Sequence, residues 1–323
     1  MTRTRFCDLF EIDVPVVQAP IWPAASPDLV AAVGDAGAIG SLAALFASAE
    51  EIGGQIDRVR ELTDRPFIVN HVVPQLDEDA FAATLEARPT GISFALGDPG
   101  DLVGRARDAG AKVLQQVHTV TQARAAADLG VDVIIAQGSE AGGQGMVTGP
   151  GTLTLVPQVV DAVDPIPVLA AGGVADGRGL AAVLAAGAAG ANVGTRFLAS
   201  DEAAAHDGWK EAIVGAESEA AVRLEAWAAL FPTEGEAAYR VVPRVLGTEW
   251  VDALRAEPSP AAERAEELRA QVIEAITTGA PHELVPFTGQ TAGLIRETLP
   301  AGEIVRRMVA EAEAAIARLT AAI

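Results

Sequence analysis

The stretch that decides the fold reads VDVIIAQGSEAGGQG at 131–145, passes a proline-marked turn, and resumes as PIPVLAAGGVADGRGLAAVLAAGAAGANVGTRFLA at 165–199. Val131–Ala136 is a short apolar run of the kind that forms a strand buried on both faces. It breaks at Gln137-Gly138 and opens into Glu140-Ala141-Gly142-Gly143-Gln144-Gly145. Val168–Ala171 is a second such run, broken by Gly172-Gly173, and Asp176 is placed to cap a helix over Gly179–Ala186. Ala191–Val193 is a third, broken by Gly194-Thr195. Glycine at a strand end lets backbone N–H groups approach an anion with no Cβ in the way. Two successive glycine-rich strand ends match the phosphate site that barrels form after their seventh and eighth strands.

Working outward, the first two-thirds of the chain repeats one phrase: an alanine-rich helix, a glycine past its end, then an apolar run. It occurs around Gly37, Gly110, Gly130 and Gly187. A glycine there closes the last helical turn in the left-handed conformation. Other runs follow proline, at Pro15, Pro66 and Pro167. Strands are expected near 14–19, 38–42, 67–70, 91–95, 112–117, 132–137, 167–171 and 190–194, with helices between them. Eight alternating units read as a (β/α)₈ TIM barrel with its chemistry at the strand C-terminal ends. An open doubly wound sheet would carry its glycine fingerprint on the first strand instead.

The pattern changes after Ser200. Residues 201–285 are rich in Glu and Ala and hold Trp209, Trp227, Tyr239 and Trp250. They read as a small, mostly helical cap domain inserted near the C-terminus, with one helix from Ser259 and Pro260 to Gly279. The expected division is a barrel over 1–200, a cap over 201–285, and a segment over 286–323 made of a loop returning to the barrel mouth and a helix from Gly302 to about Leu319.

Composition narrows the function. The 323-residue chain carries a formal charge of −21 and a pI near 4.5, which disfavours nucleic acid and anionic membranes as partners. No apolar run is long and uncharged enough to span a bilayer. The N-terminal residues do not read as a signal peptide, and Cys7, the single cysteine, permits no disulfide framework; a cytoplasmic location is expected. No histidine pair has metal-ligand spacing, so no metal is expected. The only lysines, Lys112 and Lys210, lie outside the glycine loops, so a bound phosphate must rely on backbone amides and helix dipoles.

Taken together, QAP at 18–20, Val69-Asn70, AQGSEAGGQG at 136–145, AAGGVADGRGL at 170–180, NVGTRFLAS at 192–200 and TGQTAGLI at 288–295 resemble the nitronate monooxygenases, once called 2-nitropropane dioxygenases. The flavin-dependent enoyl-acyl-carrier-protein reductases are close relatives. The resemblance implies FMN held at the strand C-termini. Ala19, Pro20 and Ile21 would back its ring and Asn70 would bond the ring edge. Gln116 would stand where some relatives carry a lysine, Gly142 and Gly143 would line the pocket, and Gln290 on the returning loop would join them. Gly172, Gly173, Gly194 and Thr195 would hold the phosphate.

One position departs from the family. Many relatives have a histidine after EAGG, and here the residue is Gln144, whose carboxamide takes no proton near neutral pH. His71 and His118, at the ends of the third and fifth strands, are the candidates to replace that base. If Asn70 faces the cofactor, strand alternation turns His71 away. Glu140 reads as a residue that orients the glycine loop.

The resemblance implies oxidation of alkyl nitronates by O₂ to a carbonyl compound and nitrite, with one-electron transfer from substrate to flavin. A nitronate is already an anion and needs no base. Two other readings stay open: NAD(P)H-dependent reduction of an activated double bond, and a barrel that binds a phosphorylated ligand without redox chemistry. An exposed apolar face on the cap could pair two subunits as a homodimer.

Overall fold

The computed structural model describes residues 3–231, 241–257, 263–278 and 280–322. Its strands, in chain order, begin with β1 (Val16–Gln18), β2 (Gly40–Ala43), β3 (Phe67–Val72), β4 (Gly91–Ala95), β5 (Lys112–Val117) and β6 (Val133–Gln137). They continue with β7 (Gly143–Met146), β8 (Val168–Ala171), β9 (Gly190–Val193), β10 (Ala221–Arg223) and β11 (Val241–Leu246). All but β7, β10 and β11 form one eight-stranded parallel sheet in the order β1-β9-β8-β6-β5-β4-β3-β2. Each expected barrel strand is present, and the architecture is that of a (β/α)₈ barrel.

The barrel seam between β1 and β2 is narrow. A single bridge joins Val17 to Ile39, and the buried Gln18 side chain completes it by accepting from Ser41 N at 3.0 Å. A carboxamide thus replaces the ladder bond that the short strands cannot make.

Glycine stops the helices where the repeated phrase expects it: Gly37, Gly110, Gly130 and Gly187 all have positive φ. Asp176 caps helix Gly177–Ala185 by accepting from Arg178 N and Gly179 N. Side chains from β1, β3, β5, β6 and β8, with Ile39, form the barrel interior. The N-terminal helix Arg5–Phe10 plugs its lower end with Phe6, Cys7 and Phe10, all fully buried or nearly so. A larger cluster lies between the sheet and the surrounding helices.

The segment after Ser200 holds several helices, but the first, Asp207–Gly215, belongs with the barrel: its Trp209 and Ile213 join the outer cluster. A separate core gathers around Leu224, Trp227, Val245, Val251, Leu268 and Val272. This region also contains an antiparallel sheet, β10-β11-β7, whose third strand comes from the glycine loop after β6. Gly143–Met146 has no alternating apolar pattern to announce a strand, because its pairing rests on backbone groups alone. Tyr239, Ser259, Pro260 and Gly279 lie outside the described residues; the described helix there is Ala265–Thr277. No helix among the described residues is long and apolar enough to cross a membrane.

The last helix, Ala301–Ala322, lies against helix Gly177–Ala185 on the barrel's outside. The contact is so close that a Cβ on Gly177 would stand 2.2 Å from Ala312 N and 2.4 Å from Met308 O. Gly177→Ala should therefore lower the unfolding free energy by about 2–3 kcal/mol through overpacking, although alanine is worth about 1 kcal/mol more than glycine in an unhindered helix. Urea denaturation would measure it; a raised midpoint would show that the helices do not meet at this glycine.

Candidate active site

The strand C-termini form a mouth built largely from backbone and carboxamides. At the ends of β8 and β9, Gly172 and Gly173 have φ of +89° and +74°, and the N–H groups of Gly172, Gly173, Gly194 and Thr195 have no acceptor among the described residues. The two corners abut other mouth loops. A Cβ on Gly172 would meet Ala141 N at 2.8 Å, and one on Gly194 would meet Ile21 Cδ1 at 2.9 Å. The Ala19–Ile21 turn therefore lies directly beside the corner after β9, held there by Ala19 N donating to Val193 O at 2.9 Å.

Glu140 fastens the loop after β6. Its carboxylate accepts from Thr152 N at 2.9 and 3.0 Å and from Thr152 Oγ1 at 3.0 Å. The same hydroxyl lies 2.9 Å from Gly172 O, and Glu140 O accepts from Gln290 N at 3.0 Å. The TGQ loop returns to the mouth, where Gly289 N donates to Thr195 Oγ1 at 2.9 Å. Gly142 approaches it so closely that a Cβ would lie 2.5 Å from Gly289 N.

Carboxamides cover the floor. Asn70 on β3 donates both amide hydrogens to Ser93, at 2.9 Å to Oγ and 3.2 Å to O, so towards a ligand it can only accept. Gln116 Nε2 donates to Gln137 Oε1 at 2.8 Å, and Gln137 Nε2 donates to Gln144 O at 2.9 Å. Ala191 and Val193 face the outer helices, so alternation turns Asn192 inward. Its Oδ1 is buried with no partner among the described residues, as is Gln144 Oε1.

This chain of amides fixes the state of His118. Because Gln144 O can only accept, Gln137 must present its nitrogen there and its oxygen to Gln116. Gln116 then presents N–H, and His118 Nε2, 3.5 Å from it, must be unprotonated. The proton belongs on Nδ1, which lies 3.4 Å from Gln137 O. A second proton would set two donors against each other. Burial, and to a lesser extent the charge of Arg223, push the His118 pKa down to about 4.

His71 does not serve the mouth. Its ring points into the layer between β3 and helix Glu78–Ala87, with Nε2 3.1 Å from Thr84 Oγ1 and its face edged by Phe81 at 5.1 Å. Burial holds it neutral to about 4 as well. Strand alternation is the cause, since Asn70 beside it faces inward.

Three features of the mouth carried no signal in the sequence. Asn192 sits inside a strand-like run, and Gln137 marks only a strand end. Arg223 and Arg244 come from the region expected to be helical, yet both donate to Ser139 O, at 3.1 and 2.9 Å.

The nitronate monooxygenase family profile matches residues 3–311. The chain belongs to the nitronate monooxygenase family. It is accordingly a flavin-dependent oxidoreductase. A probable nitronate monooxygenase of Staphylococcus saprophyticus is 33% identical, over 65% of this chain and 72% of its own length. A (3aS,4S,5R,7aS)-5-hydroxy-7a-methyl-1-oxo-octahydro-1H-indene-4-carboxyl-CoA dehydrogenase of Rhodococcus jostii is 40% identical over 64% of this chain; the match spans only 58% of that protein. Among solved structures, FabK from Thermotoga maritima superposes with a TM-score of 0.89 at 31% identity, covering both chains completely. Nitroalkane oxidase from Streptomyces ansochromogenes gives 0.82 at 30% identity, over 97% of this chain and 99% of that one.

The two buried histidines should make the fold of this family member acid-sensitive. An unfolded imidazole titrates near 6.5, whereas the folded values are about 4 for both. The unfolded chain takes up protons first, so stability is lost as pH falls from about 6.5 towards 4, by about 3 kcal/mol for each histidine. Urea melts across that window should show the loss, and His118→Asn should remove roughly half of the histidine contribution. A variant with the parent's pH dependence would show that His118 takes up its proton equally in the folded and unfolded chain.

Proposed function

We propose that this protein uses FMN to oxidise alkyl nitronates with O₂, giving a carbonyl compound and nitrite. The observation that carries the reading is a mouth equipped to recognise polar groups but, among the described residues, lacking an available base. Gln144 follows the glycine pair, and His118 is held as a neutral tautomer whose free nitrogen already faces Gln116. Deprotonating a neutral nitroalkane needs a group titrating near neutral pH; a nitronate arrives already deprotonated.

The residues present suit FMN. Four N–H groups without acceptors among the described residues, at Gly172, Gly173, Gly194 and Thr195, would bind its phosphate. Ala19, Pro20 and Ile21 would support one face of the ring. Asn70 Oδ1 and the partnerless Asn192 Oδ1 would accept from its N–H and hydroxyl groups, with Gln116, Gly142, Gly143 and Gln290 bounding the pocket. Bound FMN would supply the electron acceptor and hand electrons on to O₂. Gln144 would orient the substrate, its Nε2 donating to a nitronate oxygen while its backbone carbonyl stays tied to Gln137.

A second reading has specific support in the FabK superposition and in the CoA-thioester dehydrogenase relatives. On it, the substrate is an acyl thioester and the enzyme exchanges hydride with it or with NAD(P)H. Nitrite release from ethylnitronate or propionate-3-nitronate in air distinguishes the two. The first reading expects nitrite without NAD(P)H; no nitrite, together with NADH oxidation driven by crotonyl-CoA, overturns it.

Two variants probe the site more locally. Gly173→Val should raise the FMN dissociation constant at least tenfold, measured by flavin fluorescence on titration, because a β-branched residue is strained at φ +74° and its side chain would crowd the Glu140–Thr152 contact that holds the corner. Equal affinity would place the phosphate elsewhere. Gln144→His should confer activity on neutral nitroethane with an apparent pKa near 6–7 in its pH profile; no gain would mean that a missing base does not limit the substrate range.

A further inference from the structure

The cap sheet sets Arg223 directly opposite Arg244 in the β10–β11 register, with Arg244 in turn opposite Gly143 of β7. Like charges facing each other across an antiparallel pair repel. Both guanidiniums nevertheless converge on Ser139 O, and their other hydrogen bonds go to Val242 O at 3.2 Å and Ala221 O at 2.6 Å. Among the described residues, neither hydrogen-bonds a carboxylate, although the chain carries 44 Asp and Glu against 23 Lys and Arg. Glu140 is the nearby acid, and its oxygens are committed to Thr152. Arg244 is 9% exposed, and its Nε is buried without a partner among the described residues.

The pair stands at the mouth. A Cβ on Gly145 would lie 3.1 Å from Arg223 Nη1 and 3.4 Å from Gln137 Nε2, which places the guanidinium beside the amide chain that supports Gln144. His118 on the same side is neutral and so adds no third positive charge. Among the described residues these two cations hydrogen-bond only carbonyl oxygens, with the single charge of Glu140 acting on Arg244 from a distance; burying them so is costly, and a planar anion bound by guanidinium forks relieves it.

We propose that Arg223 and Arg244 form an oxyanion subsite of the mouth, which takes a planar two-oxygen anionic group of the substrate, a nitronate or a carboxylate. The subsite rests on the reading above for its place in the active site, but anion binding there can be measured without turnover. Neutral isosteres are excluded because they cannot offset the paired charge.

The test uses propionate as a non-reacting probe and propionamide as its neutral counterpart, with binding to the purified protein followed by saturation-transfer NMR and calorimetry. Propionate should bind and propionamide should not, and propionate should inhibit nitronate turnover competitively. Arg223→Gln should weaken propionate at least tenfold, and Arg223→Lys should recover part of the loss. Equal binding of propionate and propionamide, or unchanged affinity in a folded Arg223→Gln variant, would overturn the subsite. Should that variant fail to fold, salt dependence of the parent decides: affinity that does not fall between 20 and 500 mM NaCl also overturns it. Arginine-dependent propionate binding without nitrite production would leave the subsite standing and remove only the nitronate reading.

Discussion

One carboxylate organises the mouth. Glu140 sits where the loop after β6 meets the first turn of helix Thr152–Val163, and it accepts both the N–H and the hydroxyl of Thr152. An anion at a helix N-terminus is favourable on its own account. Here the bond also reaches further, because the same threonine hydroxyl lies against Gly172 O and the Glu140 carbonyl holds Gln290. Three loops distant in sequence are thereby tied to one residue. The bare N–H groups after β8 and β9 can then keep a fixed geometry in the absence of side chains that would hold them.

The glycine corners work as part of the same arrangement. Gly142 and Gly289 approach so closely that neither could carry a Cβ without displacing the other's backbone. The left-handed φ at Gly172 and Gly173 turns the chain sharply at the end of β8. Close backbone approach and orphan amides both follow from removing side chains, so a single residue type supplies the shape and the anion-binding capacity of the rim.

Charge in the mouth is handled unlike charge elsewhere on the protein. Most surface arginines pair with carboxylates, as Arg105 does with Glu78 at 2.9 Å. Inside the mouth the floor is uncharged: Asn70, Gln116, Gln137, Gln144 and Asn192 provide hydrogen-bonding groups of either polarity, and the single histidine present is kept neutral by its neighbours. The positive charge of Arg223 and Arg244 lies beside this neutral floor, on a sheet borrowed partly from the barrel loop. A polar but uncharged surface next to a concentrated cation pair suits a heterocyclic cofactor with an anionic substrate beside it.

The sequence by itself determined the barrel, since helix-stopping glycines at 37, 110, 130 and 187 and eight apolar runs are local signals with local causes. It also located the glycine corners after β8 and β9, because glycine pairs after apolar runs are local signals, and it turned His71 away through simple alternation along β3. Tertiary structure alone decided the rest. The β7 strand is made by backbone pairing with β11, which Gly-Gln-Gly-Met does not encode as a pattern. The tautomer of His118 follows from a relay of amides drawn from β5, β6 and the loop beyond. The two arginines reach Ser139 from 84 and 105 residues away. Local sequence records propensity and turn geometry; which polar atoms meet, and which charge is left without a partner, is settled only when distant segments are brought together.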